Sequence, residues 1–409
     1  MNRPSSGTRV GTRFVDALGT FLSAEVAGGV VLLGATLVAL AWANSPAAGS
    51  YEELWRTRIS IRVGEHELVS MDLRHWVNDA LMALFFFVIG IEIKRELVEG
   101  ELKSARRAAL PVVAALGGLL LPALIFLSLN AGGPGMSGWG IPIATDIAFA
   151  VGVLALFGSR VPHALKVLLL SIAIVDDIAA IVVIALIYSG AIDFRPLAMA
   201  AVLVLGVVGL WRIPRFWRDP LVALLMVGVW SAVFASGVHA TIAGVALGLV
   251  APVRGGDPAP AERLLKTLHP WTSLLVVPLF ALANAGLRLD PQAFTGALVS
   301  PVAVGIAVGL VVGKPVGIIV ASWLAVRAGV AVLPHGVRWP QIGGIGATAG
   351  IGFTVSLFIA SLSFAVEEIE STAKVGILVG SVIAAIVGTV LLSSSLPRRS
   401  PSTTSSSRA

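Results

Sequence analysis

From residue 24 to residue 392 the chain alternates long apolar runs with short polar connections. An α-helix rises about 1.5 Å per residue, so about 20 consecutive apolar residues cross a bilayer. Twelve such runs can be delimited, at 24–43, 76–93, 108–129, 140–157, 164–189, 196–210, 220–235, 238–250, 270–286, 302–326, 341–364 and 372–392. The sixth, seventh and eighth are short, which predicts tilted or incomplete helices there. The pattern is that of an all-α polytopic membrane protein of about twelve transmembrane helices, forming one membrane domain over residues 24–392. Residues 1–23 are expected to be a cytoplasmic N-terminal segment, and the Ser-rich stretch 393–409 a disordered cytoplasmic tail.

The fifth run, VLLLSIAIVDDIAAIVVIALIY, breaks the pattern most sharply, because Asp176 and Asp177 stand in its middle. A carboxylate at that depth costs about 2.5–3.5 kcal/mol on insertion scales, and its usual return is an ion or proton pathway. Successive helical residues point about 100° apart. One carboxylate can therefore line a cavity while the other meets a neighbouring helix. The plainer alternative is a protonated Asp bonding an adjacent helix.

Other polar positions join the pair. The fourth run, GIPIATDIAFAVGVLALF, carries Thr145 and Asp146 among Gly140, Pro142 and Gly152. Pro and Gly loosen a helix and free backbone groups that an ion can use where they line a cavity. The eleventh run, IGGIGATAGIGFTVSLFIA, is equally Gly-rich, either for close packing or as a second interruption. Runs three to five and ten to twelve enter the membrane from opposite sides and can form inverted repeats, with four and eleven in matching positions; such pairs point to a transport site. Lys314 lies near the centre of run ten, too deep to snorkel easily, and needs a carboxylate or must be neutral. It can be a proton carrier or a fixed counter-charge. Its GKP string is no phosphate loop, since Pro315 stands where Ser or Thr is required. Asp79 in run two is expected to bond Asn78 or to sit at the interface. Glu92, Lys94, Arg95 and Glu96 read as a solvated span end, and His239 as a structural histidine.

Composition agrees with a membrane protein: 56% of residues are hydrophobic, 13% are charged and mean hydropathy is +0.92. Soluble domains carry about 25% charged residues. Cysteine is absent, which removes disulfides, thiolate chemistry and Cys-ligated metals. The net charge of +6 would suggest nucleic acid in a soluble protein, but here the bases sort by membrane side. Lys94, Arg95, Lys103, Arg106, Arg107, Arg212, Arg215 and Arg218 share the side of both termini, which is therefore read as cytoplasmic. The opposite side takes Arg56, Arg58, Arg62, Arg74, Arg195, Arg288 and Lys374. In its longest loop, TRISIRVGEHEL alternates apolar and polar residues and then can turn, which predicts a β-hairpin at about 56–69. A lone hairpin is marginal in water, so a second protomer is the economical packing partner and a flexible loop the alternative.

These strings resemble the NhaA family of bacterial sodium/proton antiporters. The resemblance rests on WGIPIATDIAFAVGVLALFGSRVPHALK (139–166), LSIAIVDDIAAIVVIALIY (170–188), NDALMALFFFVIGIEIKREL (78–97), SGVHATIAGVALG (236–248), HPWTSLLVVPLFALANAG (269–286), GKPVGI (313–318) and GIGFTVSLFIASLSF (350–364). The family is itself a standard example of inverted-repeat transporters. The resemblance implies two interrupted, crossed helices, an inner-membrane location and a homodimer joined by an outer β-hairpin. It implies Asp177 as the principal carboxylate for Na⁺ or Li⁺, and Asp176 as its neighbour in proton exchange, paired with Lys314. Thr145 and Asp146 match positions near the cation. Asp79, Glu92, Arg95, Glu96, His239 and the glycines of run eleven match positions tied to the cation funnel, pH response or helix crossing. One departure stands out: Leu265 and Lys266 occupy positions where better-studied members carry an acidic residue and a histidine, although Glu262 and His269 lie nearby. The usual pH sensor is therefore not carried over.

The expected activity is exchange of cytoplasmic Na⁺ or Li⁺ for external H⁺, with the ions, protons and membrane lipid as partners and no cofactor. An ion-coupled carrier of an organic solute is the alternative. An intramembrane aspartyl protease would need a GxGD-type string and two facing helices, whereas Asp176 and Asp177 adjoin in one.

Overall fold

A computed structural model describes residues 26–64, 66–211, 215–254, 259–288 and 290–397. The expectations for residues 1–23, Glu65 and 398–409 lie outside the described residues. Helix α1 spans Val26–Ala43, followed by the short α2 at Ala48–Arg56, strands β1 (Arg58–Val63) and β2 (His66–Asp72), and then α3 at Leu73–Glu99 and α4 at Ala105–Asn130. A 3₁₀ segment at Met136–Ile143 leads to α5 (Ile147–Ala155), and α6 is His163–Ile187. The shorter α7 (Phe194–Leu210), α8 (Arg215–Ala235) and α9 (Thr241–Val250) precede α10 at Pro260–Asn284. The chain closes with α11 (Pro291–Val299), α12 (Pro301–Arg327), α13 (Trp339–Ala349), α14 (Phe353–Ser363) and α15 (Glu367–Ser395).

Eight helices among the described residues are long and apolar enough to cross a membrane, and the pair α13 and α14, bent by 45°, forms a ninth candidate span. The shorter apolar helices α7, α8 and α9 supply the remaining members of the pattern, so this is a multi-pass membrane protein. Helix α8 begins at Arg215, but its apolar part is Asp219–Ala235, so the seventh element is short as expected. The last helix runs to Ser395 and Leu396 is buried, so the ordered bundle continues past the expected boundary at 393. Leu392 sets that end: it packs on Gly344 of α13.

The hairpin forms where alternation placed it, antiparallel from Arg58 opposite Asp72 to Val63 opposite His66. It ends at Asp72, three residues beyond the expected limit. There the Asp72 carboxylate caps α3 by accepting from the His75 amide at 2.8 Å. Burial works to raise the Asp72 pKa, but the His75 hydrogen bonds and the nearby bases outweigh it, and the pKa falls below the ordinary value. Tyr51 of α2 is fully buried and donates to the carbonyls of Leu282 and Ala283 at 2.8 and 3.1 Å, which holds this cap over the end of α10.

Helices α4 and α12 meet in the centre, lying directly on one another. Their closest approach is Gly117 against Gly317, where a Cβ on either would come within about 2.2 Å of the other's carbonyl. Single π-helical turns interrupt three spans, at Trp76–Leu81, Thr272–Val276 and Gly309–Gly313. Such turns are common at functional positions. Lys314 directly follows the third.

Candidate functional site

Two broken helices build the site. The 3₁₀ segment ends at Ile143, the backbone is extended through Asp146, and α5 then begins with Asp146 as its N-cap. Helix α13 ends at Ala349 and α14 starts at Phe353. Pro142 lies in the first segment, and Gly350 and Gly352 form the second break. Gly350 has the Leu310 carbonyl 2.3 Å from where a Cβ would stand, so no side chain fits there.

The breaks touch. The Asp146 amide donates to the Ile351 carbonyl at 2.6 Å, and the Thr145 hydroxyl lies 2.9 Å from the Ala349 carbonyl, one of two acceptors for its single proton. Asp146 Oδ1 accepts from the Phe149 amide at 3.2 Å. Its Oδ2 accepts from the Thr354 amide at 3.0 Å and the Thr354 hydroxyl at 2.6 Å. One carboxylate thus caps α5 and meets the first turn of α14. Both helix ends carry partial positive charge, which the carboxylate offsets. Thr145 and Asp146 are where the sequence pointed, at the crossing of runs four and eleven.

Helix α6 brings in the Asp pair, and the two carboxylates have different surroundings. Asp176 Oδ2 lies 3.0 Å from Lys314 Nζ and accepts from the Thr145 hydroxyl at 2.7 Å. Lys314 Nζ also donates to the Ile143 carbonyl at the end of the 3₁₀ segment. Both Asp176 and Lys314 are buried, and among the described residues Asp176 Oδ1 has no hydrogen-bond partner. Asp177 points the other way. It lines a cavity of about 50 Å³ together with Glu92, Thr145, Asp146, His269 and Thr354. Among the described residues no hydrogen bond or ion pair reaches its carboxylate. A cavity of that size holds a few waters or a small cation. A buried, unpaired carboxylate is costly, and either a proton or a cation removes the cost.

The charged cluster at the end of α3 divides. Glu92 reaches the cavity, with Oε1 3.8 Å from His269 Nε2 of α10. Glu96 instead accepts from the Glu101 amide at 2.8 Å and the Ser171 hydroxyl at 3.4 Å, tying the end of α3 to α6. Arg95 is half-buried on the same turn and takes part in neither contact. Asp79 and His239 form a separate pair, with Oδ1 and Nε2 3.9 Å apart and neither residue lining the cavity. This corrects the expected Asn78–Asp79 bond. Asn78 exchanges hydrogen bonds with Asn284 at 2.8 and 3.3 Å, while the Asp79 carbonyl accepts from Trp230 Nε1 at 3.1 Å. His239 also meets the Phe358 ring edge-on at 5.5 Å between centroids.

Sequence reasoning missed Thr354 and the Ile143 carbonyl, and gave His269 only as a neighbour of the altered segment. Thr354 had a signal, a hydroxyl directly after a Gly-rich break. The Ile143 carbonyl had none. Leu265 is buried in α10 and Lys266 is exposed, so neither supplies a titratable group to the cavity, and His269 does so one turn later.

A model of the family described as Na⁺/H⁺ antiporter 1 matches residues 19–392. The chain is similar to the Na⁺/H⁺ antiporter NhaA of Shewanella sediminis, with 48% identity over 387 residues, covering 93% of this chain and 96% of the relative. It is also similar to Na⁺/H⁺ antiporter NhaA 2 of Sorangium cellulosum, at 46% identity over 412 residues, covering 90% and 87%. Among solved structures, the sodium proton antiporter of Methanocaldococcus jannaschii at pH 8 superposes with a TM-score of 0.53 at 14% identity. It covers 93% of this chain and 97% of that one, a likeness of fold alone.

Proposed function

The chain belongs to the Na⁺/H⁺ antiporter 1 family, and on that premise we propose that it exchanges cytoplasmic Na⁺ or Li⁺ for external H⁺ at one alternately exposed site centred on Asp177. The observation that carries this reading is the Asp177 carboxylate, which lines the cavity with no hydrogen-bond or ion-pair partner among the described residues while its neighbour is held by Lys314. Deprotonated, Asp177 binds the cation with oxygens of Thr145, Asp146 and Thr354 within reach. Protonated, it cannot, so cation and proton exclude one another. The crossing keeps the irregular backbone inside protein and against a cavity, where a membrane tolerates it.

Asp176 is the coupling partner. While Lys314 is bonded to Asp176 Oδ2, the pair is neutral as a unit. When a proton or cation is taken at Asp176, Lys314 is released to hold the Ile143 carbonyl alone or to lose its own proton. Glu92 and His269 stand at the cytoplasmic approach to the cavity and Asp79 and His239 at the external side. Arg95 and Glu96 belong to the charged rim of that approach. The protein sits in the inner membrane with both termini in the cytoplasm, surrounded by lipid, and two copies join through the hairpin β1–β2. A cavity of about 50 Å³ favours an ion over an organic solute.

Reconstitution in liposomes with a pH-reporting dye tests the reading. Addition of Na⁺ or Li⁺, but not K⁺, to vesicles holding a proton gradient collapses it. No response to Na⁺ at any pH from about 6 to 9, the range over which carboxylates and histidines control such sites, rejects it.

A further inference from the structure

A second cavity lies between α1, α5 and α6, with a volume of about 220 Å³. Its walls are apolar, formed by Val26, Val151, Leu154, Ala155 and Leu170, and among the described residues Lys166 is the one charged residue on it. Lys166 is half-buried on the first turns of α6, and no hydrogen bond or ion pair engages its ammonium group among the described residues. The nearby Arg160, by contrast, is occupied: it donates to the carbonyls of Pro397 and Ser393 at 2.8 and 3.5 Å. Ala155 is exposed at one side of the cavity and Leu154 is buried behind it, so the space opens outward at the end of a span.

An apolar cleft at a span end, beside a lysine that no described residue neutralises, has the two halves of a lipid site. The acyl chain takes the apolar wall, and the headgroup phosphate takes the ammonium at the depth to which a Lys stem reaches. We propose that this cleft binds one anionic phospholipid of the adjoining leaflet, with its phosphate on Lys166 and one chain against Leu154 and Leu170. The bound lipid rests on α5, the half-helix that begins at Asp146, and so touches one arm of the crossing without entering the ion cavity. The assignment depends on the chain's being a membrane protein and not on which ion it carries.

The test is native mass spectrometry of the delipidated full-length protein titrated with phosphatidylglycerol and with phosphatidylcholine of the same chains. Wild-type protein is expected to retain one phosphatidylglycerol with about fivefold preference, the factor that one basic residue near a membrane surface contributes. Lys166→Gln loses the preference and Lys166→Arg keeps it. Ala155→Trp fills the mouth of the cleft and lowers retention of both lipids. Unchanged preference in Lys166→Gln, or unchanged retention in Ala155→Trp, overturns the assignment. So does retention that arises only after residues 1–23 are deleted, because the chain's own N-terminal segment would then be the occupant. Unchanged unfolding temperatures in delipidated detergent solution show that each variant is folded.

Discussion

Asp146 and Thr354, 208 positions apart, join the two broken helices through one carboxylate oxygen, which accepts from both the amide and the hydroxyl of Thr354. The other oxygen caps α5. The crossing is therefore held by a charge set between two helix ends, and its geometry moves with that carboxylate.

Thr354→Val removes the hydroxyl donor and keeps the amide bond. We expect a stability loss of about 1–2 kcal/mol and a several-fold rise in the Na⁺ concentration giving half-maximal dye response. Thr354→Ser restores both. An unchanged Na⁺ response in the Val variant removes Thr354 from the site.

Lys314 and Asp176 are a buried pair, so losing one partner strands the other. Lys314→Ala is expected to cost about 3–5 kcal/mol, read as a lowered unfolding temperature in detergent. Replacing both, as Lys314→Met with Asp176→Leu, recovers most of that stability because no charge is left unpaired, yet proton-coupled exchange stays absent. Exchange in the double variant at the wild-type rate rules out Asp176 as the coupling group.

Tyr51 gives a prediction with a pH signature. Burial raises its pKa to about 12 from the usual 10. A raised folded-state value means stability that is fully present below pH 10 and is lost as pH rises from 10 through about 12. At pH 8, Tyr51→Phe leaves the carbonyls of Leu282 and Ala283 without their donor and costs about 1–3 kcal/mol. Thermal melts of the two proteins converge as the pH is raised towards 12, and a gap that stays constant contradicts the assignment.

Gly117 and Gly317 set the approach of α4 to α12. Gly117→Ala drives a methyl into the Gly317 carbonyl, with an overpacking cost of about 1–3 kcal/mol, and Gly34→Ala, where nothing lies within 4 Å, serves as the neutral control. Equal melting temperatures for the two variants would mean that the spans are not in contact there.

Much of the site was legible because charge inside an apolar run is expensive and so conspicuous. Asp176, Asp177, Asp146 and Lys314 each interrupt a hydrophobic segment, and the Gly-rich stretch near Gly350 marked the second break. The unequal surroundings of the Asp pair followed from helical geometry alone. Partners were harder to read. Thr354 and the Ile143 carbonyl belong to residue types that occur in any span, so only the fold reveals that they face a charge. Asp79 was expected to bond its sequence neighbour Asn78 or to sit at the interface; Asn78 pairs instead with Asn284, 206 residues away, and Asp79 turns to His239. Alternation located the hairpin but not its end, because the polar Asp72 is fixed by its capping bond to α3 rather than by the strand pattern.

The competition of Na⁺ and H⁺ for Asp177 is tested most directly by Na⁺ affinity as a function of pH, measured by titration calorimetry on the purified protein. Affinity is expected to weaken about tenfold per pH unit for each proton displaced, on the acid side of the site's titration, and Asp177→Asn is expected to abolish binding while leaving the folded protein intact. An affinity independent of pH, or wild-type binding by the Asn variant, would contradict the account.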